Sequence, residues 1–184
     1  YGYGGNYENF YDPDKYQQIF GVFVGWGKRL RWPDDYFTLS AELSYTRYMM
    51  KDWNYFSLMT NGNCNNLALR FTLSRNSTDN QIFPRRGSEI QLSVAFTPPY
   101  SLWDGKDYAN LANNPSSSTY MRELQDKYSW IEYHKWKFKA RTFTALSGHN
   151  KCFVLMTRTE IGLLGSYNKH KPSPFENYYM GGDG

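Results

Sequence analysis

Residues 36–46 read Tyr-Phe-Thr-Leu-Ser-Ala-Glu-Leu-Ser-Tyr-Thr, and apolar and polar side chains alternate through the run without an error. Phe37, Leu39, Ala41, Leu43 and Tyr45 hold one parity; Thr38, Ser40, Glu42, Ser44 and Thr46 hold the other. Successive strand residues point to opposite faces, so this period demands an extended strand with one apolar and one polar face. An amphipathic helix is excluded, because its apolar residues recur every three or four positions. A membrane-crossing β-strand needs about 9–11 residues with this pattern. A long strand of a soluble sandwich alternates equally well.

Repetition bears on that choice. Leu67, Leu69, Phe71 and Leu73 alternate with Ala68, Arg70, Thr72 and Ser74, and Ile90, Leu92, Val94 and Phe96 alternate with Glu89, Gln91, Ser93 and Ala95. Upstream, Phe20, Val22, Val24 and Trp26 alternate with Gly21, Phe23, Gly25 and Gly27, whose glycines suggest a crowded or kinked inner face. Two later segments complete six strands: Tyr128 to Ala145, and Lys151 to Leu164. In the last, Phe153, Leu155, Ile161 and Leu163 share a parity with Thr157 and Thr159, so Arg158 and Glu160 are expected to point inward.

The connections sort by length. Trp32-Pro-Asp-Asp35 and Ser147-Gly-His-Asn150 read as tight turns and Asn76 to Gly87 as an intermediate one. Met49 to Asn66 reads as a long loop and Thr97 to Lys127 as a very long polar one. Outer-membrane barrels place short turns on the periplasmic side and long loops outside, whereas a sandwich has no reason to sort connections in this way. The fold expected is all-β, part of a transmembrane antiparallel β-barrel. Such barrels close only from about eight strands, so the chain is expected to be a fragment, residues 1–184 lying within one barrel domain with further strands on both sides. The start at Tyr1-Gly-Tyr and the end at Met180-Gly-Gly-Asp-Gly184 read as internal.

Composition agrees once alternation is allowed for. A mean hydropathy of −0.73 and a net charge of +4 resemble those of an ordinary soluble chain, but a β-barrel passes such averages unnoticed. No run approaches the roughly 18 apolar residues of a membrane helix. Aromatic residues reach 19%, with 17 Tyr and 6 Trp, and many lie near segment ends: Trp32, Tyr36, Tyr48, Trp53, Tyr100, Trp103, Tyr128 and Trp130. Aromatic girdles at both bilayer interfaces account for this; exposed aromatic platforms of a carbohydrate-binding sandwich are the alternative.

Motifs of covalent chemistry are missing. Gly21-Val-Phe-Val-Gly-Trp-Gly-Lys28 fails the phosphate-loop pattern, with Val22 and Arg29 where Gly and Ser or Thr are required. Cys64, Cys152, His134, His149 and His170 show no metal-binding spacing, and Ser147-Gly-His149 lies in a turn without a nucleophile elbow. Asn76-Ser-Thr78 is formally a glycosylation sequon and reads as turn chemistry. No catalytic residue, metal or cofactor is expected. Cys64 and Cys152 should lie near opposite bilayer surfaces, about 30 Å apart, and so remain unpaired.

Lys135, Lys137, Lys139 and Arg141 form a basic stripe on one face of one strand. Each would cost about 2–4 kcal/mol facing lipid at the midplane, so the stripe is expected to face the lumen. The opposite parity then faces lipid, with Phe37, Leu39, Leu43, Leu69, Phe71, Leu92, Val94 and Phe96 as its expected members.

Three strings carry a family resemblance: Gly27-Lys-Arg-Leu-Arg-Trp-Pro-Asp-Asp-Tyr-Phe-Thr-Leu-Ser40; Ile82-Phe-Pro-Arg-Arg-Gly87 with the strand that ends Thr97-Pro-Pro-Tyr100; and Pro174-Phe-Glu-Asn-Tyr-Tyr-Met-Gly-Gly-Asp-Gly184. They resemble the BamA family of outer-membrane protein assembly factors, over essentially the whole chain. The resemblance implies roughly strands six to eleven of a barrel of about sixteen. It makes Phe175, Glu176, Gly181 and Gly182 the root of an extracellular loop that folds back into the lumen. Periplasmic POTRA domains, the strands of the lateral seam and the Arg-Gly tip of that loop are not in this sequence.

By the same resemblance the function expected is that of the core subunit of the β-barrel assembly machinery in the bacterial outer membrane. It folds and inserts other barrels through a lateral seam, without enzymatic chemistry. The partners implied are outer-membrane lipids, unfolded outer-membrane proteins, accessory lipoproteins and other complex subunits, and no nucleic acid. TamA-type factors and two-partner secretion translocators share the barrel. A passive pore, its basic stripe favouring anions, is the alternative of a different class.

Overall fold

A computed structural model of the chain describes residues 15–52, 61–147, 153–173 and 176. Six strands, β1 (Tyr16–Arg29), β2 (Phe37–Lys51), β3 (Gly62–Asn76), β4 (Gly87–Phe96), β5 (His134–Ala145) and β6 (Val154–Gly165), form one antiparallel sheet in sequence order. It is a meander that, among the described residues, has β1 and β6 at its edges and does not close. Two helices, α1 (Tyr100–Trp103) and α2 (Tyr120–Tyr128), lie in the β4–β5 connection.

Register carries the alternation from strand to strand. Trp26, Ala41, Phe71, Val94, Trp136 and Leu163 stand in one cross-strand row, and the next row holds Leu39, Leu73, Leu92, Phe138 and Ile161. Paired residues share a face, so the apolar parities of all six strands merge into one continuous surface. The other face is polar: Gly27, Ser40, Thr72, Ser93, Lys137 and Gly162 form one row, tied by a Thr72–Ser93 hydroxyl contact of 3.3 Å.

The short connections are closed by their own side chains. In the β1–β2 turn the Tyr36 amide donates to Asp34 Oδ1 (3.0 Å) and Arg29 Nε donates to the Asp35 carbonyl (2.6 Å); the Trp32–Pro33 peptide is cis. Asn76 Oδ1 accepts from the Thr78 amide (3.0 Å) and hydroxyl (2.7 Å), which is the turn chemistry expected of that triplet. Asp79 accepts from the Arg85 and Arg86 amides, and these bonds hold its carboxyl below the usual range. Gly87 has φ +109°, and a Cβ there would lie 2.3 Å from the Ser77 carbonyl oxygen, so only glycine fits.

Several expectations from sequence need correction. The fifth strand begins at His134, not Tyr128: residues 120–128 are α2, whose Leu124 and Tyr128 form a buried helical face. The loop expected from Met49 to Asn66 is shorter, because β2 runs on to Lys51 and β3 starts at Gly62. The Thr97–Lys127 connection is polar in composition yet supplies much of the buried core, with Tyr108, Leu124, Tyr128, Ile131 and Tyr133 of the connection through residue 133 all 9% exposed or less. Among the described residues nothing crowds the inner face of β1. Cβ atoms built at Gly21, Gly25 and Gly27 meet nothing nearer than 3.6 Å, 3.9 Å and 3.9 Å.

Candidate functional site

The two faces of the sheet and the assembly at its long-loop end make up the site. On the apolar face Val24, Leu43, Phe71, Leu92, Trp136, Ile161 and Leu163 are exposed across all six strands. Phe37, Leu39, Leu69, Val94 and Phe96 share that parity. An apolar surface this continuous marks contact with another apolar phase. Where a cation shares the parity it stands at the margin. Arg75 pairs with Asp34 (3.0 Å) and lies over the Tyr36 and Phe37 rings at 5.6 and 5.8 Å.

The polar face carries charge in pairs. Lys135 meets Glu176 at 3.1 Å, Lys139 meets Glu160 at 3.5 Å and Arg141 meets Glu89, while Glu160 also receives Arg158 at 2.9 Å. Glu42 and Arg70 form a further cross-strand pair at 3.5 Å. Lys135, Lys137, Lys139 and Arg141 therefore do share one face, but three of the four carry carboxylate partners from neighbouring elements, which the strand's own sequence could not show.

At the long-loop end residues 97–133 fold over the polar face as a canopy. Leu124, Tyr128, Ile131 and Tyr133 pack with Met50, Cys64, Ala68 and Ala95 of the sheet. The canopy also completes an edge. β3 outruns β4, and the β4 side of its exposed stretch is taken up by the canopy: the Asn65 amide donates to the Ser129 carbonyl and the Ile131 amide to the Asn65 carbonyl, both 2.8 Å. Gln125 plays the same part with its side-chain amide, accepting from the Asn63 amide (2.9 Å) and donating to its carbonyl (2.7 Å). Backbone groups with no water or strand partner are costly, and these bonds remove that cost.

A polar cluster ties the canopy to the segment after β6. Glu132, 1% exposed, accepts from the Ser101 amide (2.9 Å) and hydroxyl (2.6 Å). Lys171, 2% exposed, sets its ammonium 4.7 Å from the centre of the Tyr108 ring, and Tyr108 donates to Asp104. Burial lowers the Lys171 pKa while Glu132 and Asp104 oppose that shift. Burial and the Asp104 carboxylate raise that of Tyr108. The Tyr167 hydroxyl donates to the Thr97 carbonyl at 3.0 Å.

Two expected girdle residues turn elsewhere. Tyr48 stands opposite Cys64 on the inner parity, and Tyr128 is buried beneath the canopy, because α2 replaces the strand that would have exposed it. The Tyr100 and Trp130 rings meet in a tilted contact with centres 5.1 Å apart, and Trp32, Tyr36 and Trp103 are exposed. His134 packs its ring over Gly165, where a Cβ would approach within 2.3 Å, and lies 5.5 Å from Tyr167. Trp53, His149 and Cys152, hence the expected Cys64–Cys152 separation, lie outside the described residues. So do Phe175, Gly181 and Gly182.

An antiparallel meander with one face mainly apolar and the other lined by charges, most of them paired, is the wall of a membrane barrel. A family model for the Omp85 superfamily domain matches residues 4–184. The chain belongs to the Omp85 superfamily. Omp85 proteins are outer-membrane or related β-barrel proteins that act in protein insertion or translocation, which gives the exposed apolar face of this Omp85 wall its solvent. No curated protein matches the sequence.

Glu176, expected at the root of an internal loop, lies against the inner wall. Its carboxylate receives Lys135 Nζ at 3.1 Å and Asn66 Nδ2 at 3.5 Å. Beside it a hollow of about 410 Å3, lined among others by Gly21, Ser44, Tyr48, Asn66, Arg70 and Tyr133, opens on the polar face. Sequence reasoning missed the canopy residues Ser101, Tyr108, Gln125 and Glu132, and Lys171 of the segment after β6. Their partners stand far away in the chain and no periodicity announces them.

Proposed function

We propose that this Omp85 chain is wall and canopy of a BamA-type core subunit of the outer-membrane β-barrel assembly machinery. In this reading the eight apolar residues from Phe37 to Phe96 face lipid and the basic stripe faces the lumen. The short turns are periplasmic and the canopy extracellular. The observation that favours assembly over an anion pore is the largely neutralised stripe: Lys135, Lys139 and Arg141 each stand beside a carboxylate, so among the described residues most of its positive charge is compensated.

Assembly requires no bond-making chemistry by this wall. An unpaired strand edge elsewhere in the barrel offers backbone donors and acceptors to an incoming strand, and within lipid each such group must find a partner. A wall of paired, register-locked strands holds the barrel together while such an edge opens. The partners proposed are outer-membrane lipids, unfolded outer-membrane proteins and accessory lipoproteins, with no nucleic acid.

Depletion of the full-length protein tests the reading. Heat-modifiable, folded outer-membrane proteins should fall and their unfolded precursors accumulate. A steady anion-selective conductance in planar bilayers, with barrel assembly unchanged after depletion, would establish the pore instead.

A further inference from the structure

The chain leaves β6 at Gly165, and Lys135 stands opposite Leu164, the residue before that end. At Glu176 the chain is back against Lys135. Between these points Tyr167 is held by Thr97 and Lys171 is buried in the canopy. The segment thus rises into the canopy and returns, on the inner side, to the level at which β6 ended.

We propose that Glu176 is a positioning residue, and that Lys135 with Asn66 forms the receptor that fixes where the post-β6 segment enters the barrel. Three observations carry this. The carboxylate uses both oxygens, Oε1 toward Asn66 and Oε2 toward Lys135, which sets its orientation as well as its place. Its two partners belong to β3 and β5 and meet above the end of β4, so the contact spans the wall rather than one strand. The ion-paired side chains are only 25% and 19% exposed, a setting in which removing one partner costs more than at a solvated pair. Arg70 stands in the same cross-strand row as Lys135, with Ala95 between them, and pairs with Glu42 at 3.5 Å, so its charge is engaged away from Glu176.

The inference deepens the assembly reading by naming what sets the root of its internal loop, and the experiment separates the two. In the full-length protein in intact cells, cleavage by external trypsin at the Lys169–His170 bond reports whether the segment is seated, and assembly of other barrels is scored separately. Lys135→Glu and Glu176→Lys should each speed cleavage by about tenfold or more, with heat-modifiability of the barrel unchanged. The double exchange should restore protection, helped by the buried Asn66 Oδ1, which accepts no hydrogen bond among the described residues. Glu176→Gln, which keeps the shape, should give an intermediate rate. Single variants cleaved at the parental rate, or a double variant no better than the worse single one, would overturn the proposal. Restored protection without any assembly phenotype in the single variants would uphold the positioning role and count against the assembly function alone. Should the charge variants fail to fold, Glu176→Gln decides: faster cleavage supports the proposal and the parental rate refutes it.

Discussion

Small inward-facing residues occur in two places in this wall and mean opposite things. In β3 and β4 the inner parity holds Cys64, Ala68 and Ala95, all 4% exposed or less, because the canopy packs directly upon them. In β1 it holds Gly21, Gly25 and Gly27, where an added Cβ would make only ordinary contacts of 3.6 Å or more with the described residues. Read as sequence, both are small residues alternating with large ones. One set is small because something lies on it; the other lies beside a hollow that nothing described fills. A small residue on a strand therefore reports a constraint only when the opposing surface is known.

The difference can be broken from the packed side first. Ile131→Ala, at a position 1% exposed, should cost the canopy about 2–5 kcal/mol, seen as protease cleavage within residues 97–133 of a barrel that stays heat-modifiable. Unchanged protection would mean that the canopy is held by its polar contacts alone. Ala68→Leu should cost about 1–3 kcal/mol by overpacking, measured as a lower unfolding midpoint in urea, whereas a tolerated leucine would show that the canopy does not press on β3.

Alkali should loosen the canopy without such a substitution. Burial raises the pKa of Tyr100, Tyr108, Tyr128 and Tyr167, and pushes that of Tyr133 up to about 12. A raised phenol contributes stability that is whole below the unfolded value of about 10 and is lost as pH climbs through the folded value. Lys127 and Lys171, lowered by burial, act in the other sense: stability rises with pH from their folded values toward about 10.4. Protection of the canopy should thus peak near pH 10 and decline above it, followed by tyrosinate absorbance alongside protease cleavage. A decline complete below pH 9 would contradict the burial of these phenols.

The smallest effect belongs to the open side and has the reverse sign. Gly25→Ala, with the Ala41 carbonyl oxygen 3.9 Å from the added Cβ, should be neutral or stabilising by up to about 1 kcal/mol, raising the urea midpoint slightly. Destabilisation would show that a segment outside the described residues occupies this face.

Period-two alternation made the strands, their faces and the turn chemistry at Asn76 legible, because each depends on neighbours one or two positions away. The pattern around Leu39, Leu69 and Leu92 needed only its own parity to be placed, and the register then assembled those parities into one surface. The ion pairs on the basic stripe were half legible. The cations are consecutive in parity on β5, but Glu89, Glu160 and Glu176 come from β4, β6 and beyond. The canopy was hidden by its composition: Ser, Asn, Asp and Lys read as a solvated loop, yet Glu132 and Lys171 are buried with partners.

The amino-acid sequence by itself determined which residues are extended, which parity is apolar and where the chain turns, since backbone geometry ties these to adjacent positions. Tertiary structure alone decided that α2 interrupts the approach to β5, that Gln125 and residues 129–131 complete the edge of β3, and that Glu176 returns to Lys135. Those contacts join residues 41 to 66 positions apart, and a contact between distant residues is chosen by the shape and charge of both surfaces, which no local pattern contains.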